Sequence, residues 1–512
     1  MTLVSRTAIL RIPPITGICP FILFFVLYFS LPPLLYAGTS PNIPLTNWVY
    51  EYLESLDARG FIKSGILSTR PFSRIEGARL TGEALNIWNS LPVDRQEGMP
   101  SVSLMLKRLE REFQGDQIPY GYFKPLDTAY LKYLYNNNIP DHLNTNHNGN
   151  ILDKGHNVRI GLSTGLKLWD SLSFYVTPEF RGGEDNSEWN LINAYGLLSF
   201  YNVELEIGRE PMWWGPGVHG GLLLTHNATP FDMIRLTSQR PFLLPWFLSR
   251  LGPLKPTLFV TELEKERDFP HAKLIGMRLD FRPRPSFRFA LSRTIMFGGE
   301  GRESLSFGDW IKVLVADDKS EHPTSGSGID NNNILSVDFS WRLTGLNSSW
   351  PLNGAMLYGE IGAEDSSGNG WPKEKAFLAG IWVEDPFLLR GTNLRLEWAT
   401  TAKNTKHQAW YSHGVYTSGY TYNGNIIGHH MGADADDLFA RVEHLTGGGI
   451  RIGVETDVER KGVHATSTSN RTWVALDLSY PLYETLNIML GYGLENGDSS
   501  SSTLWTKMGW DL

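Results

Sequence analysis

Two tracts of this 512-residue chain gather side chains with the chemistry to hold a polyhydroxylated ligand. The first is Gly208-Arg-Glu-Pro-Met-Trp-Trp-Gly-Pro-Gly217, continuing to Leu222-Leu-Leu-Thr-His-Asn-Ala-Thr-Pro230. Indoles offer flat apolar faces with one polar edge. Such faces stack on sugar C–H groups, while Arg, His and Asn hydrogen-bond hydroxyls. The candidates here are Arg209, Trp213, Trp214, His226 and Asn227. Packing of the two indoles for structure is the competing reading, with some Trp serving in an interfacial belt. The second tract is Trp410-Tyr-Ser-His-Gly-Val-Tyr-Thr-Ser-Gly-Tyr-Thr-Tyr-Asn-Gly424, followed by Ile426-Ile-Gly-His-His-Met-Gly-Ala-Asp-Ala-Asp-Asp437. Tyr- and Gly-rich loops make adaptable contact surfaces. Trp410, Tyr411, Tyr416, Tyr420, Tyr422 and His429 are its candidates.

Metal chemistry and catalysis are read as absent. Asp434, Asp436 and Asp437 could hold a divalent cation through carboxylates. They lack the glycine and closing Glu of an EF-hand loop, so they read as a solvated charge run. His429 and His430 are adjacent, and neighbours on a strand point to opposite faces, so they read as a surface pair. No HExxH motif or P-loop occurs. The expectation is a protein that is not an enzyme and carries no cofactor. The long stretch 296–332, rich in Gly, Ser and Asn, reads as an external loop without a catalytic pattern.

The chain changes period to position these tracts. Residues 1–37 have the form of a secretory signal: Arg6 and Arg11, an apolar run Ile18–Phe29, then Leu35-Tyr-Ala37 at a small-residue junction. The single cysteine, Cys19, falls inside it, so no disulfide or cysteine-zinc scaffold is expected. Without the two arginines, 44 of the 46 basic residues remain against 54 acidic ones, a net charge of −10. That balance argues against nucleic acid as a partner.

Residues 38–125 have helical period. Trp48, Tyr52, Leu53 and Leu56 share a face and Gly60 follows as a stop. Ser73-Arg-Ile-Glu76 is a capping-box pattern ahead of Ile75, Ala78, Leu85 and Trp88, and Ser101 starts a third stripe. From Leu126 to Leu512 the period is two, as in Asn393-Leu-Arg-Leu-Glu-Trp-Ala399. Eighteen such tracts fit the 387 residues, about 21.5 per strand with its connection, close to a ~10-residue membrane strand plus turns. Long and short connections alternate, so the long ones share one end. The fold class expected is an 18-stranded antiparallel transmembrane β-barrel preceded by a small periplasmic three-helix domain. Arg395 and Glu397 would face the lumen, and Leu394, Leu396 and Trp398 the lipid. Leu512 ends the chain with Trp510 two positions earlier, a weakened form of the terminal aromatic read by barrel-assembly machinery.

Trp213-Trp-Gly-Pro-Gly217 with the downstream Leu-Leu-Thr-His-Asn-Ala-Thr-Pro-Phe231 resembles the capsule-assembly Wzi family. So do Tyr411-Ser-His-Gly-Val-Tyr-Thr-Ser-Gly-Tyr-Thr-Tyr422 with Ile427-Gly-His429, and the amino-terminal Trp48-Val-Tyr50 and Thr69-Arg-Pro-Phe-Ser-Arg-Ile-Glu76. The resemblance implies an outer-membrane barrel of eighteen strands, its periplasmic mouth plugged by a helical bundle, acting as a lectin for capsular or exopolysaccharide. An acidic polysaccharide would favour local cations such as Arg209, Lys403 and Lys406. The alternative from another class is an export or solute channel gated by the helices.

Overall fold

Alternation with period two closes on itself. The computed structural model describes residues 38–114, 123–139, 141–185, 187–302, 308, 331–344, 351–366, 372–402, 410–483 and 485–511. The signal-like segment 1–37, most of the 296–332 stretch, Lys403, Lys406 and Leu512 lie outside the described residues. Eighteen antiparallel strands form one closed barrel. They are β1 Phe123–Asn136, β2 Gly155–Leu168, β3 Leu172–Gly182, β4 Ser187–Phe200, β5 Val203–Glu210 and β6 Phe231–Ser238. Then come β7 Leu254–Glu262, β8 Lys273–Arg284, β9 Phe287–Phe297, β10 Asn331–Arg342, β11 Gly354–Ser366 and β12 Pro372–Glu384. The rest are β13 Thr392–Thr400, β14 Ala435–Leu445, β15 Arg451–Lys461, β16 Ser469–Pro481, β17 Leu486–Asn496 and β18 Ser501–Asp511. Each strand pairs with its neighbours in sequence, and β18 returns to β1 with Gly509 opposite Tyr130. Closure leaves no strand edge unpaired, the condition for a sheet in lipid.

The outward face is apolar. Ile160, Leu162, Val337, Ile361, Leu396, Trp398, Leu476 and Leu494 are exposed on it. Their strand neighbours face in and are polar: Arg159, Asp338, Glu360, Glu397, Asp477 and Glu495 are buried. One residue of register slip would exchange these two sets, so the pattern fixes the pairing. The connections 137–154, 211–230, 263–272 and 401–434 lie at one end, the loop end. Turns such as 169–171, 201–202 and 446–450 lie at the other.

Among the described residues, four helices stand ahead of the barrel: α1 Val49–Arg59, α2 Arg74–Asn89, the short α3 Val93–Glu97 and α4 Pro100–Phe113. α1 stops at Gly60, whose φ of 93° is the left-handed cap predicted there. α2 opens on Ser73, whose hydroxyl accepts from the Glu76 amide at 3.4 Å. Glu76 does not complete the box, because its carboxylate is held by Arg79 at 2.6 Å. Leu53, Leu56, Leu80 and Leu109 are fully buried in the core these helices share, each contributing about 1.5–3 kcal/mol.

Ion pairs dock this segment into the turn end of the lumen. Asp57 receives Arg282 at 2.6 Å and Arg288 at 2.7 Å. Arg59 bridges Asp385 at 2.5 Å and Glu384 at 2.9 Å. Glu51 meets Arg451 at 2.5 Å, and Thr69 donates to Asp280 at 2.7 Å. Burial works to raise the Asp57 carboxyl, but the guanidiniums of Arg282, Arg288 and Arg342 outweigh it and hold its pKa below the usual value.

Candidate functional site in the barrel lumen

Both tracts singled out in the sequence turn inward. The 211–230 connection leaves β5 and descends until Trp213 and Trp214 pair, strand to strand, with Arg70 and Thr69 of the docked segment. The Gly215 amide donates to the Ser68 carbonyl at 2.9 Å. Residues 410–434 pack against it: the Thr225 amide donates to the Ile427 carbonyl at 3.0 Å, and Asn227 Nδ2 to the Ile426 carbonyl at 3.0 Å. Helical segment, first tract and second tract therefore meet as a stack inside the lumen.

Three lumen carboxylates hold the stack to the wall. Glu397 accepts the amides of Val218, His219 and Gly220 at 2.8, 3.1 and 3.0 Å, and the Tyr358 hydroxyl at 3.0 Å. Glu360 accepts the Leu222 amide at 3.0 Å, and Glu364 the Tyr411 amide at 2.6 Å. Gly428 is required by close approach. A Cβ there would stand 2.2 Å from the Tyr411 hydroxyl and 2.4 Å from the Leu222 carbonyl oxygen.

The rings expected at a contact surface are core instead. Trp213, Trp214, Trp410, Tyr411, Tyr416, Tyr420, Tyr422, Asn227 and His429 are all buried. The Tyr411 hydroxyl donates to the Leu222 carbonyl at 2.5 Å and accepts from the His429 amide at 2.8 Å. Tyr420 donates to the Leu223 carbonyl at 3.0 Å, Tyr416 to the Gly298 carbonyl at 3.2 Å, and the Trp213 indole to the Gly217 carbonyl at 3.1 Å. Burial pushes the Tyr411 and Tyr420 hydroxyls up, so they stay neutral donors. His226 lies beside Trp213 and is pushed down to about 4, by burial first and by Lys132 second. Arg209 stands apart on β5, paired with Asp232 at 2.5 Å. The reason for the inward turn is physical: so many rings on two loops bury more apolar area against each other than an open surface allows.

The acidic run and the histidine pair are corrected too. Asp434 pairs with His464 at 2.6 Å and Asp436 with Arg460 at 2.5 Å, while Asp437 points into the lumen. His429 and His430 are not on a strand, and their rings lie together with centroids 4.6 Å apart. Among the described residues, His219, His430, Asp437 and Asp457 bring one ligand atom each within 4.8 Å of one another. The sequence hid this group, because its members come from two loops and two strands.

Beside the stack lies a chamber of about 520 Å³. Lys132, Arg159, Arg181, Arg441 and Lys507 line it from the wall, facing Glu51, Glu179 and Glu443.

The family model of the capsule assembly protein Wzi matches residues 141–502, which include both lumen tracts and nearly all the barrel. This chain belongs to the Wzi capsule-assembly family. The first tract, the second tract and the carboxylates that hold them all lie inside the Wzi match. The outer-membrane protein Wzi of Escherichia coli, described as involved in group 1 capsule assembly and as a carbohydrate-binding β-barrel, shares the fold with a TM-score of 0.70. It is 21% identical, over 93% of this chain and 100% of that one. A 55.8 kDa protein from the cps region of Klebsiella pneumoniae is 30% identical over 235 residues. That match spans 44% of this chain and 43% of the relative's own length.

Proposed function

We propose that this Wzi-family chain is a non-enzymatic outer-membrane lectin, which binds capsular or exopolysaccharide with its loop end and helps attach it at the cell surface. The observation that carries this reading is the filled lumen. The helical segment enters from the turn end, two tracts enter from the loop end, and they meet at the Trp213–Arg70 and Trp214–Thr69 pairing. Such a barrel is a platform. The turn end with its helices faces the periplasm, the apolar exterior faces outer-membrane lipid, and barrel-assembly machinery reads the last strand. The E. coli relative, described as carbohydrate-binding and outer-membrane, supports the same location and ligand class.

The buried rings then act as scaffold, and sugar meets the polar tips they hold. Ser412, Thr417 and Asn423 are exposed on the second tract, and Lys265, Glu266 and Asp268 on the adjoining 263–272 connection. Hydroxyls, an amide and carboxylates are the groups that exchange hydrogen bonds with saccharide hydroxyls. The test is binding of the purified full chain to the native surface polysaccharide and to a glycan array, with a porin as control. Binding above the porin, reduced by Asn423→Ala with Thr417→Ala, is expected. Binding no better than the porin ends the lectin reading. Planar-bilayer recording addresses the channel alternative: the intact chain is expected to stay silent, and stepwise conductance would favour the channel.

A further inference from the structure

We propose that His219, His430, Asp437 and Asp457 form a divalent transition-metal site, of the ligand chemistry that suits zinc, tying both inward tracts to the barrel wall. His219 and His430 are 8% and 6% exposed, and Asp437 and Asp457 are 2% and 0% exposed. His219 Nε2, both ring nitrogens of His430, Asp437 Oδ2 and Asp457 Oδ1 have no hydrogen-bond partner. Leaving even one buried polar group unmade costs about 1–3 kcal/mol, and more for a charged one. Four of these atoms, one from each residue and His430 through Nε2, converge within 4.8 Å of one another, where one shared partner serves all four.

Distances say what that partner is. His219 Nε2 is 3.6 Å from Asp437 Oδ2 and 3.5 Å from Asp457 Oδ1. His430 Nε2 is 3.1 Å from the same Asp437 oxygen. Zinc binds imidazole nitrogen and carboxylate oxygen at about 2.0–2.2 Å in a tetrahedron, which puts neighbouring ligands about 3.3–3.6 Å apart. The three edges at 3.1, 3.5 and 3.6 Å are close to those of such a tetrahedron, and all four ligand atoms lie within 4.8 Å of one another. Two neutral imidazoles and two carboxylates carry two negative charges, so a dication leaves the buried group neutral. Imidazole also selects against calcium and magnesium, which take oxygen ligands.

The surroundings position the ligands. Asp457 Oδ2 is held by His142 Nδ1 at 3.0 Å and by Arg471 at 3.1 Å, which turns Oδ1 toward the group. The His219 ring stacks on Phe439 with centroids 4.2 Å apart, and its backbone amide is fixed by Glu397. Glu459 Oε2, 3.5 Å from His430 Nε2, stands by as a fifth oxygen. His219 belongs to the first tract and His430 to the second, while Asp437 and Asp457 belong to β14 and β15. One ion therefore joins four elements, in the manner of a staple.

The experiment uses the untagged full chain in detergent, stripped with a chelator, dialysed against zinc or cobalt(II), and quantified by elemental analysis. One equivalent of zinc per chain is expected, with cobalt(II) giving the intense visible bands of a tetrahedral site. His430→Gln and Asp457→Asn each lose the bound metal. His142→Gln keeps all four ligands and lowers affinity about 10–100-fold, as loss of a group holding a ligand does. Chelation also speeds proteolysis of residues 410–434. Wild type taking up no more zinc than the His219→Gln/His430→Gln double variant, with the barrel folded by its heat-modifiable gel mobility, overturns the site. If the variants fail to fold, wild-type cobalt(II) showing only the weak bands of the aquated ion overturns it equally. Metal content is read without polysaccharide, so the outcome is separate from that of the lectin assay.

Discussion

Asp57→Asn tests whether buried charge holds the helical segment in the barrel. The carboxylate is 3% exposed and sits among Arg282, Arg288 and Arg342, at 2.6, 2.7 and 3.5 Å. The amide is isosteric, so packing survives while three guanidiniums lose their counter-charge. Breaking a buried pair in this way costs about 3–5 kcal/mol. At 1.36 kcal/mol per decade, the undocked population should rise by roughly 10²- to 10⁴-fold. Limited proteolysis of residues 38–114 in detergent reads that population directly when opening is fast relative to cleavage. The expected result is cleavage faster by at least two orders of magnitude, with the barrel still intact on gels. Acid should mimic the variant. The folded carboxyl lies below its usual value, so its stabilisation is complete above the unfolded pKa of about 3.9 and is lost as pH falls through the lowered folded value. Cleavage of Asp57→Asn within about threefold of wild type would refute the reasoning, since that is under 1 kcal/mol of docking energy.

Other perturbations separate scaffold from contact. Trp410→Ala should cost about 3–5 kcal/mol in a thermal-unfolding assay, while the protein that remains folded binds polysaccharide with unchanged affinity. Gly428→Ala places a methyl against Tyr411 and the Leu222 carbonyl, and overpacking of this kind costs about 1–3 kcal/mol. Glu397→Gln exchanges an oxygen that accepts loop amides for a donor, with a cost of about 1–3 kcal/mol and faster proteolysis of residues 211–230. His226, pushed down to about 4 by burial, stabilises the fold while neutral. Its contribution is therefore complete above about pH 6.5 and lost as pH falls toward 4. Melting temperature compared at pH 7 and pH 4.5 should drop more in wild type than in His226→Gln.

The eighteen strands could be read from the chain because lipid outside and a polar lumen inside impose a period of two on every one. Arg395 and Glu397 opposite Leu396 and Trp398 obey it, and Glu397 is indeed buried while both apolar neighbours are exposed. The caps of α1 and α2 were equally legible, since Gly60 donates to carbonyls and Ser73 accepts from an amide within four residues. Family membership was legible in the two tracts themselves. Their direction was not. Whether Trp213, Tyr411 and Tyr420 face solvent or the lumen depends on Glu360, Glu364 and Glu397, strand residues far away in sequence that accept the loop amides. The same holds for His219, His430, Asp437 and Asp457. Local period placed each residue on a loop or strand, but only closure of the barrel and the inward fold of both tracts brought the four together. Short-range rules fix the elements because hydrogen bonds and alternation act along the chain. The site is set by long-range packing, where chain separation carries no information about distance.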